Sequence, residues 1–158
     1  MNIVLASDHG GFEMKQYVID YLGQCKAQLE RCYGLELTDA GNAQMDAEDD
    51  FPMIAEKAVL KMRELGGVGI ADVKGIFVCG SGMGICMAAN RFHGIRASLC
   101  HSAEAASLTR QHNDANVLCL GGRNTVFSDV KPIVDAFLFT EFLGNEKYRK
   151  RNAMLDTL

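Results

Sequence analysis

Five short apolar runs punctuate the chain, at Asn2 to Ala6, Leu35 to Thr38, Gly75 to Cys79, Ile95 to Cys100 and Asn116 to Leu120. Each is rich in Ile, Val or Leu and lacks polar alternation, the pattern of a strand covered on both faces. Between them, apolar positions recur at helical spacing. Val18, Leu22, Cys25 and Leu29 fall at i, i+4, i+7 and i+11 after Gly10-Gly11, which is one stripe of a helix. Asp50 and Pro52 mark a second helix start, with Ala55, Ala58, Val59, Met62 and Leu65 as its buried side. Further helices are predicted at Ile85 to Asn90, Ala103 to Gln111, Ser128 to Phe139 and Glu146 to Leu158.

Strands alternating with helices imply βαβ units, right-handed crossovers and a parallel sheet with helices on both faces. The expected fold is α/β, a three-layer α/β/α Rossmann-like sandwich built on a five-stranded parallel sheet. Two segments look like solvated loops: Gly41 to Asp50, with Asp46, Glu48, Asp49 and Asp50 close together, and Gly66-Gly67-Val68-Gly69. An acidic run of this kind usually marks a surface.

Composition narrows the function classes. The 158 residues are 48% apolar and 23% charged, enough core material for one compact domain. The 16 Lys and Arg against 20 Asp and Glu leave a net charge of −4, which argues against an electrostatic nucleic-acid binder. A small anionic ligand held locally remains compatible with it. No apolar run approaches the roughly 20 residues needed to span a bilayer, and Met1 to Ala6 is too short for a signal-peptide core before the polar Ser7-Asp8-His9. These features predict a cytoplasmic protein that does not engage a membrane. The six cysteines, Cys25, Cys32, Cys79, Cys86, Cys100 and Cys119, are dispersed without a C-x-x-C pair, so reduced thiols are expected. Structural zinc is not: His9, His93, His101 and His112 do not supply ligands at short spacing.

In an open parallel sheet, ligands bind beyond the carboxyl ends of the strands. That rule singles out Ser7-Asp8-His9-Gly10-Gly11 after the first strand and Cys79-Gly80-Ser81-Gly82-Met83-Gly84 after the third. The second places a thiol ahead of a glycine-rich turn that opens a helix, where the backbone N–H groups of Gly80 to Gly84 are free to face an oxyanion. As a dinucleotide fingerprint the run is poor, because the glycines read G-x-G-x-G. As a cysteine phosphatase loop it lacks the phosphate-gripping Arg, whose place is taken by Ile85. It fits a thiol general base beside an oxyanion cradle, since a helix N-terminus favours a thiolate and proton abstraction next to a carbonyl needs such a base. The plainer alternative is a buried Cys with glycines serving only close packing.

Other candidates carry similar alternatives. Asp8 would serve equally as a helix cap. His112 and Asn113 fall at the end of a predicted helix, where a His commonly makes a helix-terminal hydrogen bond. Arg123 follows Gly121-Gly122 at the end of the last strand, and Lys147 and Arg151, four residues apart, share a helix face from which both could grip a phosphate. Read plainly, the cluster Lys147, Arg149, Lys150 and Arg151 is a solvated surface.

These residues resemble the ribose-5-phosphate isomerase B family, which also includes the galactose-6-phosphate isomerase subunits. The resemblance is carried by Asp8-His9, by C-G-S-G-x-G-x-x-x-A-A-N at Cys79 to Asn90, by Gly94-Ile95-Arg96-Ala97, and by R-x-H-N-D-x-N-V at Arg110 to Val117. It spans the chain, implying one domain over 1–158 whose C-terminal helix, about 145–158, packs on a partner subunit.

The resemblance implies an aldose-ketose isomerase that interconverts ribose 5-phosphate and ribulose 5-phosphate through an enediolate, without metal or cofactor. Cys79 would be the base, Ser81 and the Gly80, Gly82, Met83 and Gly84 amides would hold the enediolate, and His112, helped by Asp8, would open the ring. Asn113 would hold a sugar hydroxyl or the enediolate, and His9, Arg123, Lys147 and Arg151 the phosphate. It further implies a homodimer or homotetramer whose sites draw His112, Asn113 and Arg123 from the partner. The alternatives are a hexose 6-phosphate isomerase of allose or galactose type, or a non-catalytic phosphosugar-binding module. Two departures stand out. The family's Asp-Tyr-Pro turn reads Asp50-Phe51-Pro52, without the hydroxyl that reaches the sugar. The first cation of the C-terminal pair is Lys147, a point charge and not a bidentate fork, with Arg149 and Lys150 as close competitors for the phosphate.

Overall fold

The computed structural model describes residues 1–28, 32, 34–66 and 72–158. Five strands form one parallel sheet: β1 (Asn2–Ser7), β2 (Glu36–Asp39), β3 (Val73–Cys79), β4 (Ala97–Leu99) and β5 (Val117–Gly121), in the order β2-β1-β3-β5-β4. Among the described residues, six α-helices accompany them: α1 (Phe12–Gln28), α2 (Phe51–Gly66), α3 (Met83–Ala89), α4 (Ala103–Asn113), α5 (Phe127–Phe139) and α6 (Glu146–Leu155). A 3-10 turn, His9–Gly11, leads into α1. The Rossmann-like α/β sandwich and all five strands agree with the hydrophobic pattern. Leu29 and residues 67–69 of the predicted glycine loop lie outside the described residues, while Gly66 ends α2.

The three layers follow from strand alternation. Ile3, Leu5, Ile76, Val78, Leu118 and Leu120 face one core with Met14, Val18 and Leu22 of α1, Ala106 of α4, and Ile133, Val134 and Phe137 of α5. Val4, Ala6, Phe77, Cys79, Val117 and Cys119 face the other, against Ala55, Ala58, Val59 and Met62 of α2 and Ile85 and Ala89 of α3. The central strands β1, β3 and β5 are the continuous apolar runs, whereas β2 and β4 are edges and only partly covered. Leu65 departs from expectation. It is 38% exposed, because Met62 is the last residue of α2 to reach the core.

The strand order places the topological switch between β1 and β3, since the chain leaves β1 for β2 on one side and returns to β3 on the other. Their carboxyl ends carry Asp8 and Cys79, the location the ligand rule favours.

Candidate active site

Three loops meet at the carboxyl ends of β1, β3 and β5. After β1, the buried Asp8 caps the 3-10 turn, its Oδ1 accepting the Gly11 amide at 3.1 Å. After β5, the Gly122 amide donates to the Cys79 carbonyl at 2.8 Å and that of Arg123 to the Gly80 carbonyl at 2.9 Å. This lacing brings backbone against backbone: a Cβ on Gly122 would run into the Gly10 carbonyl oxygen.

Cys79, 4% exposed, accepts the Gly82 amide at its Sγ at 3.1 Å, a donor that stabilises negative charge on sulfur. Gly82 reaches this position with φ +77°, and its Cβ would sit 2.6 Å from Leu99 Cδ1, so only glycine fits. Ser81 Oγ accepts the Met83 amide at 3.3 Å. Two amides of the Gly80–Gly84 run are therefore engaged inside the loop, contrary to a cradle in which all five are free; those of Gly80, Ser81 and Gly84 complete the run. A cavity of about 360 Å³ is lined by Asp8, Phe51, Cys79, Ser81, Gly84 and Arg123, among others. The Phe51 ring lies on Gly84.

Arg123 overturns one expectation. Its guanidinium lies beside Gly80 of its own chain, because the amide bonds from Gly122 and Arg123 tie the β5 loop to the end of β3.

The acidic loop also differs from the solvated surface expected of it. Asp49 has an 8% exposed side chain, and its Oδ1 accepts the His9 amide at 2.8 Å and pairs with His9 Nδ1 at 2.9 Å. Asn42 Nδ2 donates to Asp49 Oδ2 at 3.0 Å. Lys15, fully buried, binds Asp39 Oδ2 at 2.7 Å and the Asn42 carbonyl at 2.8 Å. The hydrogen bond to Asp49 holds the His9 imidazole above its ordinary pKa, with the charge of Asp8 acting in the same direction. Burial raises the Asp8 carboxyl, partly opposed by His9. No signal in the sequence links Asp49 to a histidine forty positions earlier.

The remaining predicted residues occupy the opposite edge. The helix α4 leaves the carboxyl end of β4 and returns the chain to the amino end of β5, so His112 and Asn113 at its last turn lie at the far edge of the sheet from Cys79. There His112 stacks on Tyr148 of α6, ring centroids 4.4 Å apart, and Asn152 Nδ2 donates to its carbonyl at 3.4 Å. Arg96 fastens this corner, its Nη1 donating to both carboxylate oxygens of Asp156 at 2.8 and 2.9 Å and its Nε to the Asn113 carbonyl at 2.9 Å. Lys147, Lys150 and Arg151 are exposed on α6, whereas Arg149 is committed to the Gly144 carbonyl. The helix thus packs on its own α4 through Tyr148 and Asn152.

The cysteines form two groups that dispersal in sequence conceals. Cys25 and Cys32 are joined as a disulfide, correcting the expectation of six reduced thiols; the end of α1 brings their Cα atoms to 5.8 Å, within bridging distance. The other four are free, and strand order gathers them: Cys119 pairs in register with Phe77 and Leu99, and Cys79, Cys86 and Cys100 all lie close enough to act on it electrostatically. The neighbouring Cys119 thiol brings Cys86 down to about 7 against the effect of burial, while burial pushes Cys119 well up. Among the described residues, no group of three or more His, Cys, Asp or Glu could hold a metal ion. No helix among them is long and apolar enough to cross a membrane.

Known proteins resemble this chain over nearly its whole length. A family model described as Ribose/Galactose Isomerase matches residues 3–155. A probable ribose-5-phosphate isomerase B of Mycoplasma pneumoniae is 40% identical over 149 residues, 94% of this chain and 89% of the relative. Ribose-5-phosphate isomerase B of Escherichia coli is 36% identical over 154 residues, 96% of this chain and 93% of the relative. The crystal structure of ribose-5-phosphate isomerase B from Mycoplasma genitalium with bound ribulose-5-phosphate superposes with a TM-score of 0.86 at 35% identity, covering 99% of this chain and 94% of that one. On sequence and fold alike, the chain belongs to the ribose/galactose isomerase family.

Proposed function

We propose that the chain is an aldose-ketose isomerase that interconverts ribose 5-phosphate and ribulose 5-phosphate, with Cys79 as the base. The observation that carries this reading is the Cys79 thiol at the end of β3, held by the Gly82 amide in one cavity with Asp8, Ser81 and Arg123. The ribulose-5-phosphate bound by the relative of the same fold supports the substrate class. The Cys79 thiolate takes the C2 proton of the opened aldose and the electron pair moves towards the C1 carbonyl to give an enediolate; a proton then passes from O2 to O1, and the proton held by the thiol returns at C1 as C2 becomes the ketone carbon. Hydrogen-bond donors aimed at the developing oxyanion are commonly worth about 3–4 kcal/mol each in transition-state stabilisation, and here the donors are Ser81 and amides of the Gly80–Gly84 loop. Arg123 and His9 hold the phosphate, whose binding energy fixes the sugar against the thiol.

His112 opens the furanose ring, assisted by Asp8, and Asn113 binds beside it. Both lie at the wrong edge of the sheet for the Cys79 cavity of their own chain. In this reading they therefore enter the cavity of a second copy, together with Lys147 and Arg151 on α6, and the catalytic unit is a homodimer. Apolar side chains beside the cavity suit such a neighbour: Met53 and Met87 are each 70% exposed and Met83 is 51% exposed.

Replacing Cys79 by Ala tests the chemistry. Cys79→Ala is expected to lose at least about a thousandfold in kcat, as removal of an essential acid–base group does, while retaining affinity for ribose 5-phosphate. A variant with wild-type turnover would contradict the reading. Assaying ribose 5-phosphate, allose 6-phosphate and galactose 6-phosphate side by side tests the substrate, and preference for a hexose phosphate would overturn it.

A further inference from the structure

The residues that surround His9 form a relay of fixed hydrogen bonds reaching well outside the catalytic loops. The Lys15 Nζ, fully buried, ties the Asp39 carboxylate at the end of β2 to the Asn42 carbonyl at 2.8 Å. Asn42 in turn donates its side-chain amide to Asp49 Oδ2 at 3.0 Å. Asp49 Oδ1 then takes both the main-chain N–H and Nδ1 of His9, at 2.8 and 2.9 Å. A carboxylate with only 8% of its side chain exposed is costly to bury unless its bonds are filled, and these three donors fill them. The result is an imidazole, itself partly exposed, that is clamped through one ring nitrogen and its own backbone, leaving Nε2 for a ligand.

We propose that Asp49 is a positioning residue for substrate binding: its carboxylate fixes the His9 ring so that Nε2–H is presented as a donor to the phosphate of the substrate. The inference rests on the reading that His9 is a phosphate ligand. An imidazole that must donate at Nε2 while Nδ1 faces a carboxylate gains in both respects from that carboxylate, which orients the ring and favours its charged form. The raised pKa of His9, caused first by the Asp49 hydrogen bond, agrees with this. The charged groups that face His9 are Asp8, which precedes it in the chain, and Asp49; only the second arrives from another element, so its removal isolates the contribution of the acidic loop.

The experiment compares Asp49→Ala, Asp49→Asn and His9→Asn with the full-length wild-type protein. It measures kcat and KM for ribose 5-phosphate across pH, the dissociation constant for ribose 5-phosphate, and the His9 ring titration by NMR. Asp49→Ala is expected to raise KM about tenfold, the scale of one charge-assisted hydrogen bond, with kcat within about twofold of wild type. Asp49→Asn, which keeps the shape but loses the charge, is expected to recover most of that affinity at acid pH. Its KM should then begin to climb at lower pH than in the wild type, in step with a downward shift of the His9 titration. If His9→Asn raises KM but neither Asp49 variant does, or if the His9 titration is unmoved in Asp49→Asn, the role of Asp49 is refuted while the phosphate role of His9 stands. If His9→Asn itself leaves KM unchanged, the phosphate reading falls and this inference with it. Should ribose 5-phosphate bind without being interconverted, the isomerase reading fails, and the dissociation constants of the same variants still decide for or against Asp49.

Discussion

Asp8 illustrates how a residue proposed for the site costs the fold stability. Its Oδ1 caps the turn that starts α1, yet its burial disfavours the charged carboxylate, raising the pKa above the ordinary value. A group whose folded-state pKa lies above its unfolded value contributes stability that is complete below the unfolded pKa and is lost as pH rises through the folded one. Asp8→Asn keeps an oxygen for the Gly11 amide and has no charge to bury. Its stability relative to wild type is therefore expected to improve as pH rises past about 4, the ordinary value of a carboxyl in the unfolded chain, while turnover falls. Urea denaturation at a series of pH values measures this; a difference that does not vary with pH would contradict it. Cys79, Ser81 and Asp8 are legible as neighbours because each sits at or just after the carboxyl end of a central strand, whereas Arg123, expected from a partner subunit, lines the cavity of its own chain. Asp49 is not legible in this way, because an acidic run reads as surface until the fold brings His9 to it. The Cys25–Cys32 bridge and the Cys86–Cys119 neighbourhood escaped for the same reason: spacing along the chain does not reveal which thiols strand order and helix ends bring together.

At the scale of elements, each strand and α-helix among the described residues falls on a segment marked by the sequence, most of them by the period of their apolar positions, since burial on one or two faces is what that period records. The ends were less legible where side chains replace the ladder. β4 is shorter than the run Ile95 to Cys100 because the Ile95 amide is taken by the Phe92 carbonyl in a turn and that of Arg96 by Asn116 Oδ1 at 2.9 Å. The 3-10 turn at His9–Gly11 lay hidden between strand and helix. Glycines that look alike in sequence also differ sharply in what they do. Gly122 lies against the Gly10 carbonyl, whereas Gly23, in the middle of α1, has nothing within 4 Å of an added Cβ. Gly122→Ala is expected to cost about 1–3 kcal/mol by overpacking and to lower turnover by displacing Arg123. Gly23→Ala is expected to stabilise by about 0.5–1 kcal/mol through helix propensity. Equilibrium urea unfolding of the two variants, side by side, tests this difference in sign; equal effects would contradict the packing account of the three-loop junction.

For the molecule as a whole, the governing feature is the separation of two groups of proposed site residues. The thiol, its amide donors, Arg123 and His9 sit at the carboxyl edge of the sheet, while His112 and Asn113 close α4 at the amino edge, near the exposed cations of α6. A parallel sheet with α4 crossing from one edge to the other enforces that separation within one chain, so the proposed meeting of Cys79 with His112 needs a second copy. The same division reinterprets the modest net charge of −4: it averages a loop with several acidic residues, one of whose carboxylates is buried against His9, with the exposed cations of α6. The most direct measurement is complementation between Cys79→Ala and His112→Ala, each inactive alone, co-expressed with different tags. In hybrid dimers one site receives wild-type Cys79 from one chain and wild-type His112 from the other. Random pairing should then restore about a quarter of wild-type activity per chain, as closed two-fold symmetry dictates. No recovery in purified hybrid dimers would contradict a site shared between copies.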